Sequence, residues 1–265
     1  MKTKQYKEYP SSNLIHKDIS YGDLIVEIGR LFINKPYKDG TLEDHRKERL
    51  IINLSAFDCT TFVETVLALA RCAASRKISR NEFRQHLKSI RYRQGNINGY
   101  SSRLHYFTDW LKDNEKMKFM TDISRNLGVN PRRKKINFMT AHLELYPALE
   151  NETQFAQMLS VEKNLSRRVF HIIDKNKVNA QKGQIKNGDI IAFAANQEGL
   201  DVAHVGFALW EGKSLHLLHA SKNECRVVIS KKTVFHYLKS NKNFNGIIVA
   251  ENNGPFSKET EGDSK

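Results

Sequence analysis

Cysteine is scarce in this sequence, and its few copies exclude a disulfide-rich fold. The 265 residues contain only Cys59, Cys72 and Cys225, and no two of them form a CxxC pair. Three widely spaced thiols allow one disulfide at most, and they lack the paired spacing of a zinc finger. We therefore expect reduced thiols, or one pair and one free thiol, and no metal site.

Long apolar runs are also absent. No stretch of about eighteen apolar residues suits a bilayer, and residues 1–20 hold no apolar segment of the export-signal type. We expect no transmembrane segment. The chain is expected in the periplasm if an export signal precedes it, and in the cytoplasm otherwise.

Acidic residues are outnumbered, with 29 Asp and Glu against 43 Lys and Arg, a formal charge of +14. This excess predicts affinity for anions. However, no zinc-finger, RNP-like or basic leucine-zipper motif is present, and the densest basic clusters, 132–135 with Lys231 and Lys232, are typical of solvated loop faces. We therefore expect no nucleic-acid partner, whereas carboxylate-rich peptides suit the same charge.

The hydrophobic pattern places helices first and strands after them. Apolar residues at helical spacing predict helices over 21–32, 60–74 and 80–90, and another near Trp110. Short β-rich runs follow at 189–194, 203–210, 214–219, 226–230 and 246–250. Glu211-Gly212 suits a hairpin turn between two of them. This order predicts an α+β fold with the helix after Cys59 packed on a C-terminal antiparallel sheet or small barrel.

Cys59 stands at the start of the best-defined predicted helix, with Asp58 in the N-cap position. Free backbone N–H groups and the positive end of the helix dipole favour a thiolate there. The N–H of Cys59 is also a candidate oxyanion donor. Taken alone, however, a free cysteine is more often a small buried apolar residue.

A cysteine nucleophile needs an imidazole beside it and a second polar group that orients the imidazole. His204 opens one predicted strand and His219 lies on the next, so the hairpin brings both to one end of the sheet. His216 is three residues from His219 and therefore projects to the opposite face. The alternative is that each histidine has only a structural role, which is the commoner case for a lone histidine.

Four motifs occur in an order that resembles the NlpC-type, papain-like cell-wall hydrolase superfamily: NKPYKDG, FDCTTFVE, NGDIIAF, and AHVGFAL followed by LHAS. Two features depart from that pattern. Thr60-Thr61 follows the cysteine, and His204 comes 145 residues after Cys59. With YRQGNINGYSSRLHYFTDWL and KINFMTAHLELYPAL, these features are similar to the N-acetylmuramoyl-L-alanine amidase-like branch.

The resemblance implies Cys59 as nucleophile, His204 as general base and acid, and His219 as the orienting residue, with no cofactor. The implied reaction cleaves the amide between N-acetylmuramic acid, in its 1,6-anhydro form, and L-alanine in a muropeptide or peptidoglycan fragment. It further implies a monomeric, single catalytic domain over 1–265. Within it, 75–185 is an inserted substrate-specificity lobe, 186–252 the β-rich part of the core and 253–265 a flexible tail.

Further polar residues are candidates for substrate binding: Tyr37, Asp58, Arg103, His105, Tyr106 and His142. Charged and hydrogen-bonding groups of this kind orient ligands in otherwise apolar pockets. Each also has a structural interpretation, since Asp58 suits a helix cap, Arg103 suits an ion pair and Tyr106 lies on a helical core face.

Other functions fit the same residues. A D-Glu/diaminopimelate endopeptidase and a transglutaminase-like acyl transferase both use such a triad. A non-catalytic binder of wall fragments, or of nucleic acid, needs only the fold and the positive charge.

Overall fold

A computed structural model describes residues 19–43, 47–127 and 131–255 of this chain, so most of the predicted tail lies outside the described residues. The α-helices are α1 (Tyr21–Arg30), α2 (Cys59–Ala74), α3 (Arg80–Arg91), α4 (Phe107–Lys116), α5 (Phe138–Ala141), α6 (Glu152–Ser166), α7 (Val178–Gln181) and α8 (Val234–Ser240). The strands are β1 (Met120–Asp122), β2 (Pro131–Arg132), β3 (Phe170–His171), β4 (Ile173–Asp174), β5 (Ile190–Ala195), β6 (Val202–Glu211), β7 (Ser214–Ser221), β8 (Arg226–Ile229) and β9 (Phe244–Asn252). Among the helices of these ranges, none combines the length and apolar character that a membrane span requires.

The centre of the molecule is a seven-stranded sheet whose strand order is β1-β9-β5-β6-β7-β8, with β4 also paired to β9. Every pairing in it is antiparallel. All five runs predicted as strands are strands of this sheet. No pairing in the described residues joins its outer strands β1 and β8, so the sheet is open and the small barrel was the wrong alternative.

Helices cover both faces of the sheet. On one face, α1 and α2 pack against Val205, Phe207 and Leu218, and the Phe62 and Phe207 rings lie 5.9 Å apart. On the other face, α8 packs against β5, β7 and β9 through Val234 and Leu238, which are fully buried. Burial of each such side chain contributes roughly 1.5–3 kcal/mol, so these contacts hold both helices against the sheet.

The start of α2 is fixed by a reciprocal cap. The Asp58 carboxylate accepts a hydrogen bond from the Thr61 N–H at 2.7 Å, and the Thr61 hydroxyl accepts one from the Asp58 N–H at 3.0 Å. Such a capping box satisfies N–H groups that have no helical acceptor. The predicted N-cap is confirmed, and Cys59 is the first residue of the helix.

The β6–β7 hairpin turns where the sequence predicted it. Glu211 pairs with Ser214, and Gly212 has a φ of +58°, a conformation that glycine adopts without strain. The other end of the hairpin carries His204 and His219, because each lies near the terminus of its strand that is remote from the turn.

Segment 75–185 contributes two short strands to the central sheet. Its strands β1 and β4 both pair with β9, at Met120↔Asn252 and Ile173↔Ile247. The segment also has its own buried polar centre, in which the Glu162 carboxylate accepts hydrogen bonds from the Tyr106 hydroxyl and the Thr140 N–H.

Candidate active site

Two histidines on neighbouring strands form a hydrogen-bonded pair. His204 Nε2 lies 2.6 Å from His219 Nδ1, with ring centroids 4.8 Å apart and planes at 79°. His219 is only 1% exposed, whereas His204 is partly exposed. The pair shares one proton across this contact. When His204 Nε2 is the donor, His204 Nδ1 carries a free lone pair.

Both imidazoles are held neutral. Burial lowers the pKa of His204 to about 4. Burial, and secondarily the charge of His204, lowers the pKa of His219 to about 2. Removing a cation from water is unfavourable unless an anion faces it, which explains the direction of both changes. At neutral pH the pair is therefore a proton acceptor, as a general base must be.

Cys59 sits half-buried at the first position of α2, packed against the core beside Val205. Burial, and secondarily the charge of Asp58, raises the pKa of the Cys59 thiol to about 12. Polar groups of Val205, Thr60 and the Cys59 backbone act in the opposite direction and lower the pKa of the thiol. Burial and Asp58 thus outweigh these groups, which is the opposite of the effect expected from the helix start alone.

Tyr237 on α8 lies beside Cys59 and the two histidines, His204 and His219, and we call these four residues the Cys59 cluster. Tyr237 was not identified from the sequence. Its ring lies 6.0 Å from that of His204 and 5.5 Å from that of His219. Burial and the charge of Cys59 raise the pKa of Tyr237 to about 12, which places its hydroxyl within electrostatic reach of the thiol. The apolar spacing of Val234 and Leu238 was the available signal for α8 and therefore for Tyr237.

Tyr37 lies near Cys59, but its hydroxyl is already engaged. That hydroxyl donates to Asp39 Oδ1 at 2.6 Å, and the other Asp39 oxygen accepts from Lys222 Nζ at 2.8 Å. Burial, Asp39 and the charge of Cys59 all raise the pKa of Tyr37. Tyr37 is thus close enough to bind substrate beside Cys59, but its hydroxyl can donate to a ligand only if Asp39 releases it.

Three predicted substrate-binding residues make internal polar contacts, and two of them, Arg103 and Tyr106, are buried. Arg103 is 5% exposed and binds Glu43 at 2.9 Å, with Glu48 at 3.6 Å. The Tyr106 hydroxyl donates to Glu162 at 2.6 Å, and His105 Nε2 lies 2.9 Å from the Tyr100 carbonyl. These internal partners favour the structural interpretation of Arg103, His105 and Tyr106, and their role in substrate binding stays a prediction.

The remaining two candidates for substrate binding, Asp58 and His142, lie in different places. Asp58 acts as the cap of α2 and as a charge beside Cys59. His142 stacks on Phe138 at 4.2 Å and bonds its carbonyl through Nδ1 at 2.7 Å. Neither His142 contact involves the Cys59 cluster. Across residues 19–43, 47–127 and 131–255, no group of three or more His, Cys, Asp or Glu side chains is arranged to hold a metal ion.

Comparison with solved structures shows close relatives. An N-acetylmuramoyl-L-alanine amidase from Bacteroides uniformis ATCC 8492 is 38% identical, with a TM-score of 0.83 over 88% of this chain and 98% of that one. A Bacteroides fragilis protein provisionally described as a xylanase is 41% identical, with a TM-score of 0.80 over 84% of this chain and 98% of that one. A Legionella pneumophila str. Philadelphia 1 protein, 22% identical with a TM-score of 0.67, covers 88% of this chain and 89% of its own, and shares the fold.

No curated protein matches this sequence. The family model described as AmiA-like, N-acetylmuramoyl-L-alanine amidase-like, matches residues 27–247. That range holds Cys59, both histidines of the pair and Tyr237. The chain therefore belongs to the AmiA-like, N-acetylmuramoyl-L-alanine amidase-like family.

Proposed function

We propose that this chain is a cysteine-dependent amidase that cleaves the bond between N-acetylmuramic acid and L-alanine in peptidoglycan fragments. The family and the Bacteroides uniformis relative support the bond. The observation that carries the mechanism is the His204–His219 pair at 2.6 Å, one residue from Val205, whose backbone lowers the pKa of the Cys59 thiol. A nucleophile, a base and an orienting group are the three parts that acyl transfer requires.

In the proposed first step, the Cys59 thiol gives its proton to His204 Nδ1 as the sulfur attacks the lactyl carbonyl carbon of the sugar. The C–N bond of the tetrahedral intermediate then breaks, and His204 returns the proton to the departing amine of L-alanine. A thioester joins the muramoyl group to Cys59. Water, deprotonated by His204, hydrolyses this thioester and restores the thiol.

His219 acts on this sequence through His204. Its Nδ1 accepts the His204 Nε2–H, which selects the tautomer with a lone pair on Nδ1 and steadies the imidazolium formed in each step. His219 is thus a positioning residue. The backbone N–H of Cys59 is our candidate donor to the oxyanion, because the first N–H groups of a helix have no helical acceptor.

The high pKa of Cys59 and the low pKa of His204 indicate that the resting site holds a neutral thiol and a neutral imidazole. We therefore place proton transfer within the substrate complex, where attack on the carbonyl consumes the thiolate as it forms. This differs from enzymes that keep a stable thiolate–imidazolium pair before substrate binds.

We further propose a papain-like core, a 1,6-anhydro sugar in the substrate, and a role in specificity for segment 75–185. Helix α2 packed on β6 and β7 agrees with a papain-like, NlpC-type arrangement of nucleophile helix and histidine strands. The 1,6-anhydro form of the sugar, and a role for segment 75–185 in specificity, come from the sequence resemblance and remain part of the proposal.

Product masses test the bond directly. The protein is incubated with a defined 1,6-anhydromuropeptide, and we expect free anhydro-N-acetylmuramic acid together with an intact stem peptide that begins with L-alanine. Release of a sugar-linked dipeptide instead identifies the D-Glu/diaminopimelate endopeptidase. Unchanged substrate, with or without binding, contradicts the enzymatic proposal.

A further inference from the structure

A cavity of about 700 Å³ opens beside the histidine pair, on the α8 face of the sheet. His219 and Tyr237 line it together with Val228, the cross-strand neighbour of His219. Its walls are β7, β8 and α8 with the chain that follows α8. His219, which bonds His204, and Tyr237, which lies within electrostatic reach of Cys59, both line the cavity, so the cavity adjoins the Cys59 cluster.

The charged side chains that line this cavity are mostly positive. Four cations line it, Arg226, Lys231, Lys232 and Lys242, against a single acid, Glu224. Among the ion pairs within the described ranges, none involves any of the four cations, although the nearby Lys222 is paired with Asp39. Unpaired cations around a concave surface attract anionic ligands and concentrate them locally.

The lysine pair is held in place by the backbone beneath it. Ser230 Oγ donates to the Lys232 carbonyl at 2.6 Å and accepts from the Leu217 N–H at 3.0 Å. His216 Nδ1 lies 2.8 Å from the Ser230 carbonyl. The sequence predicted Lys231 and Lys232 as part of a solvated loop face. In the structure both side chains are exposed in a loop, as predicted, and this loop is tied to β7 and lines the cavity.

We propose that this cavity is the subsite for the peptide stem of the substrate, and that Lys231 and Lys232 recognise its carboxylates. The inference rests on the proposed function, since it assigns the leaving peptide to one side of Cys59. The stem carries the free carboxylates, on its glutamate and diaminopimelate residues. The anhydro sugar is uncharged once its lactyl carboxyl is in the amide, so it gains nothing from four cations.

Two substrates and two variants test the assignment. The substrates are an anhydromuropeptide with free stem carboxylates and the same molecule with those groups converted to carboxamides. The variants are the double substitution Lys231→Gln with Lys232→Gln, and the control Lys213→Gln at the exposed β6–β7 turn, remote from the site. Surface substitutions of this kind rarely unfold a protein.

For the double variant we expect kcat/KM on the carboxylate substrate to fall by about three- to twentyfold, since each exposed charge pair contributes modestly. Activity on the carboxamide substrate stays unchanged, and Lys213→Gln matches the wild-type protein on both. An equal loss on both substrates, or no loss on either, overturns the subsite.

Titration calorimetry with the free stem peptide separates this inference from the amidase proposal. We expect weaker binding to the double variant than to the wild-type protein and to Lys213→Gln. If no muropeptide is hydrolysed but the peptide still binds through these lysines, the amidase proposal fails and the subsite stands. If hydrolysis occurs and the peptide binds all variants equally, only the subsite fails.

Discussion

The buried histidine pair makes a quantitative prediction for the pH dependence of stability. In the unfolded chain, His219 has an ordinary pKa of about 6.5, whereas in the folded protein burial lowers it to about 2. At mildly acidic pH, His219 is therefore protonated in the unfolded state and neutral in the folded state. The contribution of His219 to the free energy of unfolding is therefore full above about pH 6.5, its unfolded pKa, and is lost progressively as the pH falls from there towards the folded pKa of about 2.

The magnitude follows from the difference in proton binding. At pH 5, protonation of the unfolded His219 lowers the free energy of unfolding by about 2 kcal/mol relative to pH 8. The result hardly depends on the folded pKa, because any value near 2 leaves the buried ring neutral at pH 5. His204, whose folded pKa is about 4, adds at most a similar amount and less where solvent reaches it.

Urea unfolding at pH 8 and pH 5, followed by tryptophan fluorescence, measures this effect. Buried carboxylates titrate too, and burial raises the pKa of Asp189 to about 7, which changes stability in the opposite direction. The comparison is therefore between the wild-type protein and His219→Asn, which retains a hydrogen-bonding side chain. We expect the variant to lose about 2 kcal/mol less between the two pH values. Equal losses in the two proteins, within about 0.5 kcal/mol, refute a neutral, buried His219.

Three further predictions concern residues that support the site. Arg91 and Glu64 form a buried ion pair at 2.6 Å. Arg91→Met should therefore lower the free energy of unfolding by about 3–5 kcal/mol, and adding Glu64→Leu to that variant should restore part of the loss. A loss below about 1 kcal/mol for Arg91→Met contradicts a stabilising pair. Asp58→Ala should cost about 1–2 kcal/mol through the lost cap of α2 in the same urea assay, and Asp58→Asn clearly less; equal costs argue against capping. With a thiol pKa of about 12, alkylation of Cys59 by iodoacetamide should accelerate continuously from pH 7 to 10 in a Cys225→Ser background, whereas a plateau below pH 8 indicates a stable thiolate.

Local patterns in the sequence predict the catalytic elements well. Helix α2 and the strands β5 to β9 follow from apolar periodicity, and the N-cap follows from Asp58, because each signal depends on residues a few positions apart. The β6–β7 turn then dictates that His204 and His219 meet. Their hydrogen bond is the long-range contact that the sequence predicts most directly, since a two-residue turn fixes the register of a hairpin.

The remaining features depend on contacts between distant parts of the chain. Strands β1 and β4 are two or three residues long, too short for any period to show. The partners of Arg103 are Glu43 and Glu48, about sixty residues earlier, so nothing local separates an ion pair from a ligand-binding arginine. Tyr237 joins the cluster only because α8 folds back over β7 and β9.

The same limit applies to the pKa of Cys59. The helix start and the N-cap can be predicted from the sequence, but the burial of the thiol is set by how α2 packs against β6. Burial has the larger effect on the thiol, as it commonly does for ionisable groups removed from water. The sequence thus places Cys59 at a helix start but is a weaker guide to the resting charge of its thiol.

The central claim is that the Cys59 sulfur is the nucleophile. Its most direct test is the kcat/KM of Cys59→Ala on the anhydromuropeptide, beside Cys225→Ser as the matched change at an exposed cysteine. The account predicts a loss of at least about 10⁴-fold for Cys59→Ala in a protein that still folds, and wild-type activity for Cys225→Ser. A Cys59→Ala protein that keeps more than a tenth of the wild-type activity contradicts it.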